Sequence, residues 1–150
     1  MVIDKARILY HLRSLIEEKI RFAEENIRST IAARDSDGKS TAGDKHEVGR
    51  AMIQIELEKQ ETQLAKLRLL EVDLARVSLD RTFDRVGFGS LVTTDQGVYF
   101  IAIGLGAVNV EGETVYGISL QSPIGQALKD KRVADEVVFG GKRMRVLGVK

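Results

Sequence analysis

The chain has 150 residues, 43% hydrophobic and 30% charged, with a formal net charge of +1; that fits one domain or two small ones and argues against a general electrostatic grip on nucleic acid. It has no cysteine and two histidines, which excludes disulfides and thiolate metal sites, and His11 and His46 are too far apart in sequence to suggest zinc. No apolar run approaches the ~20 residues that span a membrane, and the N-terminus is charged from Asp4 onward with no signal peptide in view, so the expectation is a cytoplasmic protein without a membrane partner.

Residues 4–34 are mostly helix formers. Leu9, Leu12, Ile16, Ile20, Ala23, Ile27 and Ile31 recur at spacings of three and four. That spacing puts one apolar stripe on a helix and leaves Arg, Lys and Glu on the other faces. Residues 35–43 are dense in turn formers. A second helical segment covers about 47–80. Its expected contact stripe is Val48, Met52, Ile55, Thr62, Ala65, Leu69, Val72 and Arg76, with Thr62 and Ala65 small enough for close approach. Leu57, Leu64, Leu67, Leu70, Leu74 and Val77 supply a second apolar flank. Each stripe needs a partner, and the nearest in sequence is the other. Residues 1–80 are therefore expected to form an antiparallel α-helical coiled-coil hairpin. A helix of about 30 residues is roughly 45 Å long, longer than a compact domain needs, so the hairpin itself is the expected working part.

After Arg81 the periodicity changes. Residues 90–94, 98–103, 114–119, 136–139 and 143–149 are short runs rich in Val, Ile and aromatic residues, separated by Gly and Asp. They predict a small antiparallel sheet over residues 81–150. One short helix is expected near 123–129, with Ser122 as its cap and Pro123 in its first turn. The fold class is α+β.

Asp44 and Glu47, three residues apart at the start of the second helix, lie on one face of its first turn. One reading is a variant capping box, with Asp44 as the cap and Glu47 reciprocating, both favoured by the helix dipole. The other is a share in a divalent-metal site. Two carboxylates do not make a dedicated Mg²⁺ site, but they serve one whose remaining oxygens come from a partner. The two readings are compatible. Arg34, Lys39, Lys45, His46 and Arg50 surround the pair, either as solvated charges or as phosphate contacts. Gly87, Gly89, Gly104 and Gly106 are not followed by the helix that a phosphate loop requires, and no Ser or Thr sits in a nucleophile elbow.

Gly43-Asp44 followed by Glu47, after Ala33-Arg34 at the turn of a helical hairpin, resembles the tip of bacterial Gre transcript-cleavage factors. The run Val86-Gly87-Phe88-Gly89-Ser90-Leu91-Val92 is similar to the opening strand of the Gre C-terminal domain. Ile118-Ser119-Leu120-Gln121-Ser122-Pro123-Ile124-Gly125-Gln126-Ala127-Leu128 is similar to its Ser-Pro segment, the most specific part. Lys131-Arg132-Val133-Ala134-Asp135-Glu136-Val137 resembles the turn and strand that follow. The resemblance covers essentially the whole chain.

The resemblance implies a coiled-coil hairpin joined to an FKBP-like sheet domain. The sheet domain would dock on the rim of the RNA polymerase secondary channel, on the largest catalytic subunit, through a surface that includes Ser122 and Pro123. The hairpin would enter the channel. Asp44 and Glu47 would help hold a Mg²⁺ shared with the polymerase, and Arg34, Lys45 and Arg50 would contact the nascent RNA 3′ end. A water would then cleave the backtracked transcript, by two-metal phosphoryl chemistry. Such a protein is no enzyme alone; it stimulates the polymerase's own nucleolytic activity. This chain departs from the family where Gre tips continue Asn-Ala-Glu-Tyr: here Val48-Gly49-Arg50-Ala51 follows Glu47, and the loop before Gly43 is longer. Arg50 in place of an acid motivates an alternative, a Gre-like channel regulator without cleavage activity. An FKBP-like isomerase would need several aromatic walls, and Phe83, Phe88, Tyr99, Phe100, Tyr116 and Phe139 must also serve the core. A structural coiled-coil adaptor is the remaining alternative.

Overall fold

The computed structural model describes residues 3–37 and 43–150, and their side chains except those of 37 and 43–46. Two long helices come first, α1 (Lys5–Asp37) and α2 (Gly43–Ala75). Then follow β1 (Leu91–Thr94), β2 (Gly97–Ile101), β3 (Gly106–Val110), β4 (Glu113–Ile118), α3 (Pro123–Leu128), β5 (Glu136–Phe139) and β6 (Lys142–Val149). The chain divides into two compact units. One comprises Met1–Leu12 with Val72–Lys150, and the other Arg13–Glu71.

Within the Arg13–Glu71 unit, α1 and α2 run antiparallel. Leu15 and Phe22 share a groove with Leu70, Leu67 and Gln60, whereas Ser29 and Ala33 meet Met52, Ile53 and Glu56. Glu24 Oε1 lies 3.7 Å from Arg68 Nη2 across the pair. The α1 stripe faces inward as its spacing predicts: Ile16 and Ile20 are buried, and Ala23, Ile27 and Ile31 half-buried. On α2 the expected contact stripe is corrected. Val48, Met52, Ile55, Leu69 and Val72 are 57–67% exposed, while Leu57 is buried and Ile53, Leu64, Leu67 and Leu70 half-buried. The reason is that α2 carries two apolar seams on opposite sides. Both satisfy helical periodicity, and α1 packs on the leucine-rich one.

In the other unit, the Asp4 carboxylate accepts from the Ala6 N–H (3.2 Å) and its carbonyl from Arg7 and Ile8, which starts α1 at Lys5. α2 ends at Ala75, short of the expected Asp80, as Arg76 and Val77 N–H turn back to Asp73 and Leu74 carbonyls. Arg7 Nη1 reaches Glu111 Oε2 at 3.3 Å, and Lys5 Nζ donates to the Lys150 carbonyl at 3.1 Å.

The sheet has six strands in the order β3-β4-β2-β1-β6-β5. It is mixed, which corrects the expected all-antiparallel sheet: β2 and β4 pair in parallel, with Val98 opposite Val115 and Ile101 opposite Ile118. The cause is β3, a strand absent from the sequence reading. β3 and β4 form an antiparallel hairpin whose returning strand, β4, takes the place beside β2. The connection from β2 to β3 is tied down by Ala102 N–H on the Ile118 carbonyl and Leu105 N–H on the Gly117 carbonyl, 2.9 and 3.0 Å. Only a glycine tolerates that approach without displacement, since a Cβ at Gly117 would stand 3.1 Å from both the Ile103 oxygen and Leu105 Cβ. Two glycines at its approach, Gly104 and Gly106, disguise the alternation of buried Val108 and Val110 with exposed Ala107 and Asn109.

Both faces of the sheet are buried at its centre. Val92, Ile101, Val137, Met144 and Val146 pack on one side with Leu128 of α3 and Val86. The neighbouring cross-strand pair Leu91 and Phe100 points to the other side and is also buried.

Candidate functional site

The first candidate region is the start of α2. The helix begins at Gly43, so Asp44 lies inside its first turn rather than at the cap position. That corrects the capping-box reading but keeps Asp44 and Glu47 one turn apart on one face. Asp44 in the first turn sits at the positive end of the helix dipole and beside N–H groups with no partner in the helix, and Glu47 begins the next turn. The Asp44 and Lys45 side chains lie outside the described ones, as do residues 38–42 of the expected turn. Glu47 is exposed, and so is Arg50, a further three residues on. Arg34, near the end of α1, is half-buried, with its Nε 3.5 Å from the Asp35 carboxylate. Asp35 thus offsets part of the guanidinium charge.

Carboxylate oxygens are the hard donors that Mg²⁺ prefers, so the chemistry of Asp44 and Glu47 fits that ion. The pair fills only part of an octahedral shell, and the remainder must come from elsewhere. Among the described residues no group of three or more His, Asp or Glu side chains could hold a metal.

The second candidate region is the turn that begins α3. The Ser122 hydroxyl donates to the Ser119 carbonyl (2.7 Å) and accepts from the Gly125 N–H (3.1 Å), and Pro123 is the first helical residue. Cap and proline stand as the sequence predicts. Gln126 Nε2 reaches back to the Leu120 carbonyl at 2.7 Å. A Cβ at Gly125 would run into the Ser119 oxygen and stand 2.8 Å from the Leu120 oxygen. Glycine is therefore required where the helix crosses the preceding strand exit. Ser122 is half-buried with its hydroxyl engaged on both sides, and Pro123 is exposed. Any contact made here uses the proline ring and the shape of the turn more than the serine hydroxyl. Gly125 and Gln126 belong to this construction and were not singled out from sequence; the signal is the Gly two residues after Ser-Pro.

Phe83, Phe88, Tyr99, Phe100 and Tyr116 are each already engaged, while Phe139 is exposed. Phe100 is fully buried. Phe83 carries Lys5 Nζ at 4.7 Å and the Arg81 guanidinium at 4.6 Å, and Arg76 lies over Phe88 at 4.9 Å. Tyr99 and Tyr116 stack on each other with centroids 5.3 Å apart. Burial, and then the neighbouring Tyr116 phenol, raise the Tyr99 pKa above its ordinary value. At the other end of the scale, burial and the Arg81 charge lower the Lys5 pKa.

No protein-family model matches this chain, and no curated protein matches it.

Proposed function

We propose that this protein is a Gre-type factor of the RNA polymerase secondary channel, built as a coiled-coil hairpin and an FKBP-like sheet domain, and that it stimulates cleavage of backtracked nascent RNA in the cytoplasm. The observation that carries the reading is the acidic pair: Asp44 and Glu47 stand one turn apart at the start of a 33-residue helix that runs antiparallel to another of 33 residues. A helix of that length is roughly 50 Å long, enough to bring carboxylates to a site deep inside a partner. The Ser122-Pro123 turn, locked by its own hydrogen bonds, supports the docking half of the reading.

In this reading the protein is no enzyme alone. A Mg²⁺ shared with the polymerase supplies the Lewis acid and the activated water. Asp44 and Glu47 contribute oxygens that hold it, while Arg34, Lys45 and Arg50 meet phosphates near the RNA 3′ end. Pro123 and the rigid turn beneath it seat the sheet domain on the channel rim of the largest catalytic subunit.

The test is a purified polymerase stalled in a backtracked state with Mg²⁺. Wild-type protein should shorten the transcript, and Asp44→Ala or Glu47→Ala should slow that by about ten- to a hundredfold, the scale on which losing one metal-supporting group acts. Cleavage unchanged in both variants would remove the acids from the chemistry. Exposed Arg50, one turn beyond Glu47, favours a second reading in which the protein occupies the channel without cleaving. That reading predicts competition with a cleavage-competent factor and no shortened RNA.

A further inference from the structure

Charge is unevenly placed along this chain. Residues 129–150 carry seven Lys and Arg against three Asp and Glu, a local +4 in a chain of net +1. Within that stretch β5 and β6 form the hairpin that ends the sheet, closed by Gly140 and Gly141, both at positive φ. Three residues of β5 are exposed, and each has a cation directly opposite on β6: Glu136 faces Arg145, Val138 faces Arg143 and Phe139 faces Lys142. Among the described residues none of those three cations is in an ion pair. The outer edge of β5 is open as well, since β5 pairs with β6 alone. Asp135 accepts from the Val146 N–H at 2.9 Å, and the two-residue turn makes Phe139 and Lys142 a hydrogen-bonded pair, so the bonds to β6 fall on every second residue. Glu136 and Val138 lie between and aim their N–H and C=O groups away from β6. No backbone partner meets those groups among the described residues.

We propose that the open edge of β5 binds an extended acidic segment of a partner protein, added to the six-stranded sheet as one more strand. Three features choose that occupant, and it uses all of them. The outward N–H and C=O groups of Glu136 and Val138 pair with an extended backbone. Val138, 64% exposed, and Phe139, 38% exposed, stand on opposite faces and give apolar cover to alternate side chains of the added strand. Lys142, Arg143 and Arg145 lie one strand further in, about 10 Å from the added backbone, a gap that a Glu side chain and a Lys or Arg side chain span together. Glu136 is the one acid on the hairpin strands against these three cations, so the remaining charge calls for carboxylates on the partner. A second copy of this chain is the wrong occupant, because pairing β5 with β5 would gather six like charges about one edge. A nucleic acid answers the cations but leaves the outward carbonyls and Val138 without a match. The surface is independent of the polymerase reading, since none of its residues was assigned a role there.

Fluorescence anisotropy of a dye-labelled octapeptide of alternating Glu and Val, titrated with the full chain, tests the edge. The expected result is saturable binding at sub-millimolar concentration. It should weaken about three- to tenfold when Arg143→Gln and Arg145→Gln are combined, the loss of two exposed ion pairs. Val138→Pro removes one outward N–H and none of the bonds to β6, and should abolish binding while circular dichroism shows the fold retained. In the wild type, amide hydrogen exchange at Glu136 and Val138 should slow when the peptide is bound. A peptide that stays unbound at millimolar concentration, or a Lys-Val peptide that binds equally well, would overturn the proposal. Tighter binding of an oligothymidylate than of the acidic peptide would overturn it too, by assigning the cations to nucleic acid. Unchanged exchange at Val138 in the bound state would overturn the strand pairing.

Discussion

Ala134 has a φ of 79° at the turn before β5, a left-handed conformation that crowds its Cβ against its own backbone. The conformation is held by the Ala134 N–H on the Val146 carbonyl (2.8 Å) and by Asp135, whose carboxylate accepts from the Arg132 N–H at the same distance. Ala134→Gly should raise stability by about 0.5–1 kcal/mol, a strain relief of about 1–2 less the extra freedom of the unfolded chain. Urea unfolding reads this directly, and a loss of stability would show that the turn is not strained. Gly125 is the opposite case, because a Cβ there strikes the Ser119 and Leu120 carbonyls. Gly125→Ala should destabilise, and more than the about 0.5–2 kcal/mol expected of Ser122→Ala, which removes a cap alone. Tyr99 makes a pH prediction. Its raised pKa means the fold favours the neutral phenol, so this contribution is whole below pH 10.0 and is lost as pH rises through the folded value. Tyr116→Phe should bring the Tyr99 midpoint part of the way back to 10.0, with the burial effect remaining. Phenolate absorbance during titration checks it, and an unmoved midpoint would show that the stacked phenol does not matter.

At the scale of the element, α2 shows how far periodicity reads. Spacing alone located both long helices and gave α1 its inward stripe from Leu9 to Ile31. It could not choose between the two seams of α2, because each obeys the same rule and only the partner's packing decides. Leu57, 5% exposed, and Leu69, 65% exposed, belong to opposite seams. Leu57→Ala should cost about 2–5 kcal/mol of stability, whereas Leu69→Ala at micromolar concentration should change it by less than about 0.5 kcal/mol. Equal losses in thermal or urea unfolding would contradict the assigned inner face. The sheet was legible where the strand ran clear of glycine, as in β1 and β5, and illegible at β3. With β3 unseen, the parallel pairing of β2 and β4 could not be anticipated. The Ser122 cap and Pro123 start of α3 were legible because both depend on local chemistry. The exclusion of any Cβ at Gly125 depends on a strand exit that crosses it in space.

For the whole molecule, the proposed function divides between the two units. Asp44 and Glu47 belong to the Arg13–Glu71 unit and the Ser-Pro turn to the other. Chemistry and docking should therefore separate by mutation. A perturbed α3 turn, as in Gln126→Ala, which frees the Leu120 carbonyl, should raise the concentration needed for half-maximal cleavage and leave the maximal rate near wild type. Neutralising the acids should do the reverse. The decisive measurement is the rate of transcript shortening by backtracked polymerase at saturating protein, comparing wild type with the double variant Asp44→Asn, Glu47→Gln. The account predicts that the double variant still competes for polymerase at wild-type concentrations while its cleavage falls to the rate of polymerase alone. Full cleavage by the double variant, or a wild type that neither binds polymerase nor shortens the transcript, would contradict it.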